Sequence, residues 1–189
     1  VVFFGGRTQN LPYCYQASSS YNDTGSTSYR DQAINTNNQS YVTTDGMSWR
    51  GIYINGFKRT GIRIERGSTN ITIRNVEIYN NGAAELGSNG WTPTHPGIML
   101  AGVNTLIQRA IIHDNGHDAI QSLYDQNNIN NFRLEQSWLY NGRLHPTTGE
   151  SWNYCTHTDG IQIFDGGLIS GITITETIIG PGFTQGVML

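Results

Sequence analysis

The stretch Asn70–Gly82, NITIRNVEIYNNG, sets apolar residues at Ile71, Ile73, Val76 and Ile78. Period-two alternation broken by one extra residue describes two short strands joined by a bend, with the apolar side chains turned to one side. The stretch recurs downstream as NTLIQRAIIHDNG (residues 104–116), NFRLEQSWLYNG (131–142) and GITITETIIG (171–180). A degenerate earlier copy, YVTTDGMSW, covers residues 41–49. Phe132, Leu134 and Leu139 take the inward places of the 131–142 copy, with Ser137 where Val76 stood.

A second short strand accompanies these copies: GIRI (61–64), GIML (97–100), AIQS (119–122), GIQI (160–163) and GVML (186–189). The starts of neighbouring copies lie between 22 residues (97 to 119) and 41 residues (119 to 160) apart, the excess being insertions. A unit this short cannot close its own core, but stacking on its neighbours buries a continuous apolar column. The predicted fold is therefore all-β, a right-handed parallel β-helix of about five rungs spanning residues 41–189 and forming part of a longer coil. Adjacent rungs are expected about 4.8 Å apart. A β-sandwich would not repeat one strand pair with one asparagine-rich turn (YNNG, HDNG, YNG), and the Leu-x-x-Leu-x-Leu pattern of a leucine-rich repeat is absent.

Composition agrees. Of 189 residues, 37% are hydrophobic, 13% are charged and 23 are glycine. Polar content that is neutral rather than ionic suits many short strands and tight turns, and argues against disorder. A net charge of −3 without a basic run excludes nucleic-acid binding by phosphate neutralisation. No apolar run is long enough for a membrane span, and no charged-then-apolar leader opens the chain. Cys14 and Cys155 either pair in an oxidising compartment or stay reduced. Asn22, Asn38 and Asn70 head glycosylation acceptor triplets, which matter only in a eukaryotic secretory pathway.

Residues 1–40 read differently: VVFFGG as a strand, then a long polar loop packed on the helix. The chain starts and stops within strands, so capping rungs are expected elsewhere, or the uncapped ends self-associate and build a filament.

Two insertions, 83–94 and 143–157, fall at one place in the repeat, between the asparagine turn and the GI-strand. Insertions confined to one repeat position project from one face, often the binding face. Around them lie Trp91, His95, Trp152, Tyr154 and His157, a set suited to packing a pyranose ring and bonding its hydroxyls. Stacking places Asp118 beside Asp159 on adjacent rungs, with His117 and His157 near. Two close carboxylates, one kept protonated, are what glycoside cleavage uses, and they are also calcium-type oxygen ligands. Strict alternation back from Ile120 and Ile161 points both Asp side chains inward; a bend at Ala119 or Gly160 turns them into a groove. The same register creates an outward row, Arg63, Met99, Gln121, Gln162 and Met188, whose glutamines either bond hydroxyls or stack as a structural ladder. No cofactor is called for, and no zinc spacing occurs.

The segments STNITIRNVEIYNNG, HPGIMLAG, GHDAIQS and THTDGIQIF resemble the pectin-lyase-like superfamily of right-handed parallel β-helices, also described as carbohydrate-binding and sugar-hydrolysis repeats. The resemblance covers about residues 41–189 and implies a polysaccharide partner. THTDGIQI is similar to the Asn-Thr-Asp-Gly motif of polygalacturonases, which implies a catalytic role for Asp159, with His157 in place of the asparagine. The Asp-Asp pair and Arg-Ile-Lys motif of those enzymes are missing. HPGIML is similar to rungs of alginate epimerases, without their Asp-Pro-His-Asp motif, and the arginine motifs of pectate lyases are absent.

The functional expectation is a secreted or surface-located carbohydrate-active β-helix that cleaves or binds a polysaccharide beside the GI-strands. As a hydrolase it would use Asp118 and Asp159 tuned by His117 or His157; as a lyase, a histidine base with an arginine or calcium neutralising a uronate. Trp91, His95, Gln121, Trp152, Tyr154, Gln162 and Arg63 would contact substrate. The competing expectation is a non-catalytic β-helix of a fibre, adhesin or filament.

Overall fold

The computed structural model describes residues 2–4, 32–48, 51–57, 59–82, 95–122, 129–142, 158–163 and 169–189. Among them are sixteen β-strands and no helix. Every strand pairing is parallel. Sheet A has ten strands, the longest being Thr69–Tyr79 and Val103–His113. Sheet B has six short strands, in the order Ile34–Asn35, Ile62–Arg63, Ile98–Leu100, Ile120–Ser122, Asp159–Gln162 and Gln185–Met188. The chain passes from sheet B to sheet A and back, once per repeat.

Register follows the repeat. In sheet B, Ile34, Ile62, Ile98, Ile120, Ile161 and Val187 stand one above another. In sheet A, Ile73, Ile107, Leu134 and Ile174 form one inward row, and Ile54, Ile78, Ile112, Leu139 and Ile179 another. The central members of these rows are fully buried and join one hydrophobic core. Each such side chain contributes about 1.5–3 kcal/mol by leaving water. Ser137 does occupy the row of Val76 and Ala110, and its hydroxyl is satisfied: Oγ accepts from Ala110 N at 3.1 Å and donates to Glu135 O at 2.7 Å.

The asparagines are corner residues. Three positions per coil take left-handed backbone: Asn70, Asn104, Asn131 and Gly171 at the first; Asn75, Arg109, Gln136 and Glu176 at the second; Gly56, Asn80, Asp114 and Asn141 at the third. Asn and Asp enter this conformation more readily than other L-residues because a short polar side chain bonds locally. At the first corner the amides also bond along the stack, Asn131 to Asn104 and Asn104 to Asn70, each at 3.1 Å. Inside the third corner, Asn115 Nδ2 donates to Ile78 O and Asn81 Nδ2 to Ile54 O. The GI dipeptide has a steric cause: a Cβ at Gly97 would come within 2.7 Å of Asn115 Nδ2 and 2.8 Å of Ile112.

Two readings need correction. The second bend is present as left-handed backbone at Asn75 and Arg109, which do not pair with each other, but it does not end the strands: Thr69–Tyr79 and Val103–His113 each run on past it. The repeat also begins before residue 41. Ile34–Asn35 already pairs with Ile62–Arg63, a strand too short to show as alternation. Val2–Phe4 pairs with Ile52–Asn55. Both insertions, 83–94 and 143–157, lie outside the described residues, as do Cys14, Cys155, Asn22, Trp91, Trp152, Tyr154 and His157.

Candidate functional site

On the sheet B side Asp118, Asp159 and His117 are brought together, with the two carboxylates facing inward. Asp118 and Asp159 are fully buried. Asp118 Oδ1 accepts from the backbone N–H of Asp159 at 2.6 Å, and Asp159 Oδ1 from that of Gln185 at 3.2 Å. Each carboxylate thus holds the next coil's backbone. His117 Nδ1 stands 3.0 Å from Asp118 Oδ2. Alternation has prevailed over a bend, so the expected groove-borne acid and base pair is an internal ladder. Gln121 and Gln162 are buried too: Gln121 Nε2 donates to Gln162 Oε1 at 2.8 Å, and Gln162 Nε2 contacts Met188 Sδ at 3.6 Å. They form the structural ladder, not an open row of hydroxyl-binding amides. Arg63 is engaged by Glu65, Nε to Oε1 at 2.6 Å. His95 is half-buried, its carbonyl packed against Gly82. The amides of the remaining acceptor asparagines serve the corners: Asn38 Oδ1 accepts from Gly67 N, and Asn70 Oδ1 from Asn104. No group of three or more metal-ligating side chains occurs among the described residues.

The open surface is the outer face of sheet A. One outward row runs Tyr53, Glu77, Ile111, Trp138 and Ile178; Glu77 is 5% exposed, Ile111 6% and Trp138 41%. The next outward row is aromatic. Tyr79, His113 and Tyr140 stack with ring centroids 5.2 and 4.7 Å apart and planes within 5° of parallel. Trp138 leans on Tyr140 at 4.4 Å. His113 sits between two carboxylates, Nε2 3.1 Å from Glu77 Oε1 and Nδ1 2.6 Å from Asp114 Oδ2. Both contacts are hydrogen bonds when both ring nitrogens carry hydrogen.

Beside Trp138 the second corner opens into a groove of about 490 Å³ lined by Arg109, Gln136, Ser137, Trp138, Glu176 and Ile178. Arg109, Gln136 and Glu176 all have φ of 49°, where the coil below has Asn75 at 57°. Long side chains gain no local bond from left-handed backbone, which disfavours them there by about 1–2 kcal/mol each. Arg109 Nε donates to Asn75 Oδ1 at 2.7 Å, and Gln136 Nε2 to Glu176 Oε2 at 2.9 Å. Further down, Asp45 accepts from Asn75 Nδ2, from Met47 N and from Arg74 Nε, each at 2.7–2.8 Å. These bonds, that from Asn75 foremost, lower its pKa from the usual 3.8 to about 2.

Solved structures similar to this chain include pectate lyase Pel9A, with a TM-score of 0.52, 15% identity, and coverage of 79% of this chain and 36% of that one. The chain shares the parallel β-helix fold with that lyase. Full-length tailspike protein 2 from Escherichia coli O157:H7 bacteriophage CAB120 is also similar, at a TM-score of 0.35 and 17% identity, covering 78% of this chain and 24% of that one. No family model and no curated protein matches the sequence. The β-helix thus spans about a third of the pectate lyase, and likeness at this identity concerns the fold.

Within this β-helix the sequence reading missed the sheet A groove. A signal was there: an aromatic ring precedes the asparagine turn in YNNG, HDNG and YNG alike, and Trp138 stands two residues before one of them. Those turns were read for their asparagines only.

Proposed function

We propose that this β-helix binds a polysaccharide on the outer corner of sheet A. The observation that carries the reading is the run of three successive corners, Arg109, Gln136 and Glu176, where long polar side chains occupy left-handed backbone beside the exposed Trp138. Such strain clusters at ligand sites. Trp138 and Ile178 offer an apolar surface, and the polar trio offers hydrogen bonds at its edge, the pairing a pyranose needs. Sharing a fold with a pectate lyase supports a polysaccharide partner, and a polysaccharide partner favours a location outside the cell or on a surface.

Binding is favoured over hydrolysis. Glycoside hydrolysis needs two carboxyl groups flanking the bond, and among the described residues the groove is lined by one, Glu176. Asp118 and Asp159 hold backbone inside the coil. The test is a panel of immobilised polysaccharides probed with the whole chain, with product assays run in parallel. Retention on a glycan without reducing ends or unsaturated products is expected. Product release would return the protein to the hydrolase or lyase class. Absence of retention, with ordered filaments by electron microscopy, would make it a structural β-helix.

A further inference from the structure

Resting on that reading, we infer that the glycan held in the corner groove is uncharged. The argument is one of donors, acceptors and charge. Arg109 carries five N–H donors, of which Nε is spent on Asn75; its guanidinium also lines the groove. Gln136 gives one of its two amide hydrogens to Glu176 Oε2, which leaves its second N–H as a donor and the Gln136 carbonyl and Glu176 Oε1 as acceptors at the same opening. The groove therefore presents donors and acceptors side by side. A sugar hydroxyl both donates and accepts, so it fits either kind of neighbour. A uronate carboxylate only accepts: what it gains at Arg109 it loses against Glu176. An ammonium group meets the reverse conflict.

Charge on the surrounding face carries no cationic excess. Arg74 pairs with Asp45 at 2.7 Å, Arg133 pairs with Glu135, which also accepts from Gln108 at 3.1 Å, and Glu77 and Asp114 flank His113. The groove itself adds one cation and one anion. No net positive field remains to attract a polyanion, and the contacts left are stacking on Trp138 and hydrogen bonds to uncharged sugar hydroxyls, which salt barely screens. The preference thus runs opposite to the acidic polymer in the name of pectate lyase Pel9A, although the fold is shared.

The experiment is affinity electrophoresis and calorimetry of the whole chain with uncharged polymers (galactan, xylan, mixed-linkage β-glucan) and uronate polymers (pectate, alginate), at low and high sodium chloride. Expected are binding to an uncharged polymer at least about tenfold tighter than to either uronate, and a change of less than about twofold across the salt range. Trp138→Ala should weaken that binding at least about tenfold. Glu176→Gln removes the one carboxylate that lines the groove and should narrow the preference by bringing uronate binding up. Tighter uronate binding in the parent, or affinity that falls with salt, overturns the inference while polysaccharide binding stands. Failure to bind any polymer overturns the polysaccharide reading and this inference together. Binding unaffected by Trp138→Ala in a folded variant removes both from this groove.

Discussion

The two sheets carry outward rows built alike, both exposed on the last described coil and differing one coil earlier. On sheet B, Met99, Gln121 and Gln162 are stacked in register and buried, the glutamines bonded to each other, ahead of Met188 at 38% exposure. On sheet A, Glu77 and Ile111 are equally buried, yet Trp138 on the next coil is 41% exposed beside a groove. Both rows obey the same alternation. Register therefore decides which side chains become neighbours, and the local surroundings decide whether the row meets water. The corners separate the two regions further. At the second corner of sheet A, three consecutive coils place long polar residues where Asn or Gly would sit at ease. At the entry to sheet B, carboxylates turn inward and hold backbone.

The sharpest way to break this contrast is at Asp118. Asp118→Ala removes the acceptor of the Asp159 N–H and leaves that buried donor unpaired, which should destabilise the fold by about 1–3 kcal/mol. The urea midpoint measures it, and glycan binding of the folded fraction should not change. Unchanged stability would mean that the carboxylate does not hold the coil, and would reopen a chemical role for it.

On the sheet A side the sign should invert. Gln136→Asn relieves left-handed strain at φ 49° and should raise stability by about 1 kcal/mol or less. It shortens the side chain that reaches Glu176, so glycan affinity should fall as stability rises. A corner kept only for structure would gain stability with no loss of binding, and that outcome would separate the strain from the ligand.

How much of this was legible beforehand follows from what each residue needs. The inward isoleucines, the stacked GI-strands and the Ser137 substitution all depend on alternation, which a linear sequence displays. The orientation of Asp118 and Asp159 depends on one backbone bend that composition leaves open: both orientations satisfy the pattern, and the amides of Asp159 and Gln185 decide between them. The buried state of Gln121 and Gln162 is set by what surrounds them, which no local pattern encodes. Trp138 was visible as a residue but not as a surface. Its exposure depends on which side chains of neighbouring coils surround it, a property of three coils together. The aromatic row was obscured by the asparagines next to it, whose regular recurrence drew the reading to turn chemistry.

The smallest effect expected is at Asp45, lower on the same corner as the groove. Its folded pKa of about 2 lies below the usual 3.8, held down first by Asn75 and then by the Met47 N–H and Arg74. A depressed carboxylate stabilises the fold while ionised. Its contribution is therefore complete above roughly pH 4 and is lost as the pH falls from there towards 2. Asp45 is partly open to solvent, its side chain 20% exposed, so the effect on thermal midpoint is modest. Asp45→Asn should flatten this part of the acid limb and leave the midpoint near neutrality slightly lower. Added salt should weaken the Arg74 share and spare the hydrogen bonds from Asn75 and Met47, so most of the difference between parent and variant should survive at high ionic strength. A difference that vanishes in salt would show that charge pairing rather than the asparagine governs Asp45. The corner beneath the groove would then be electrostatic in character, unlike the neutral hydrogen-bonded corners stacked above it.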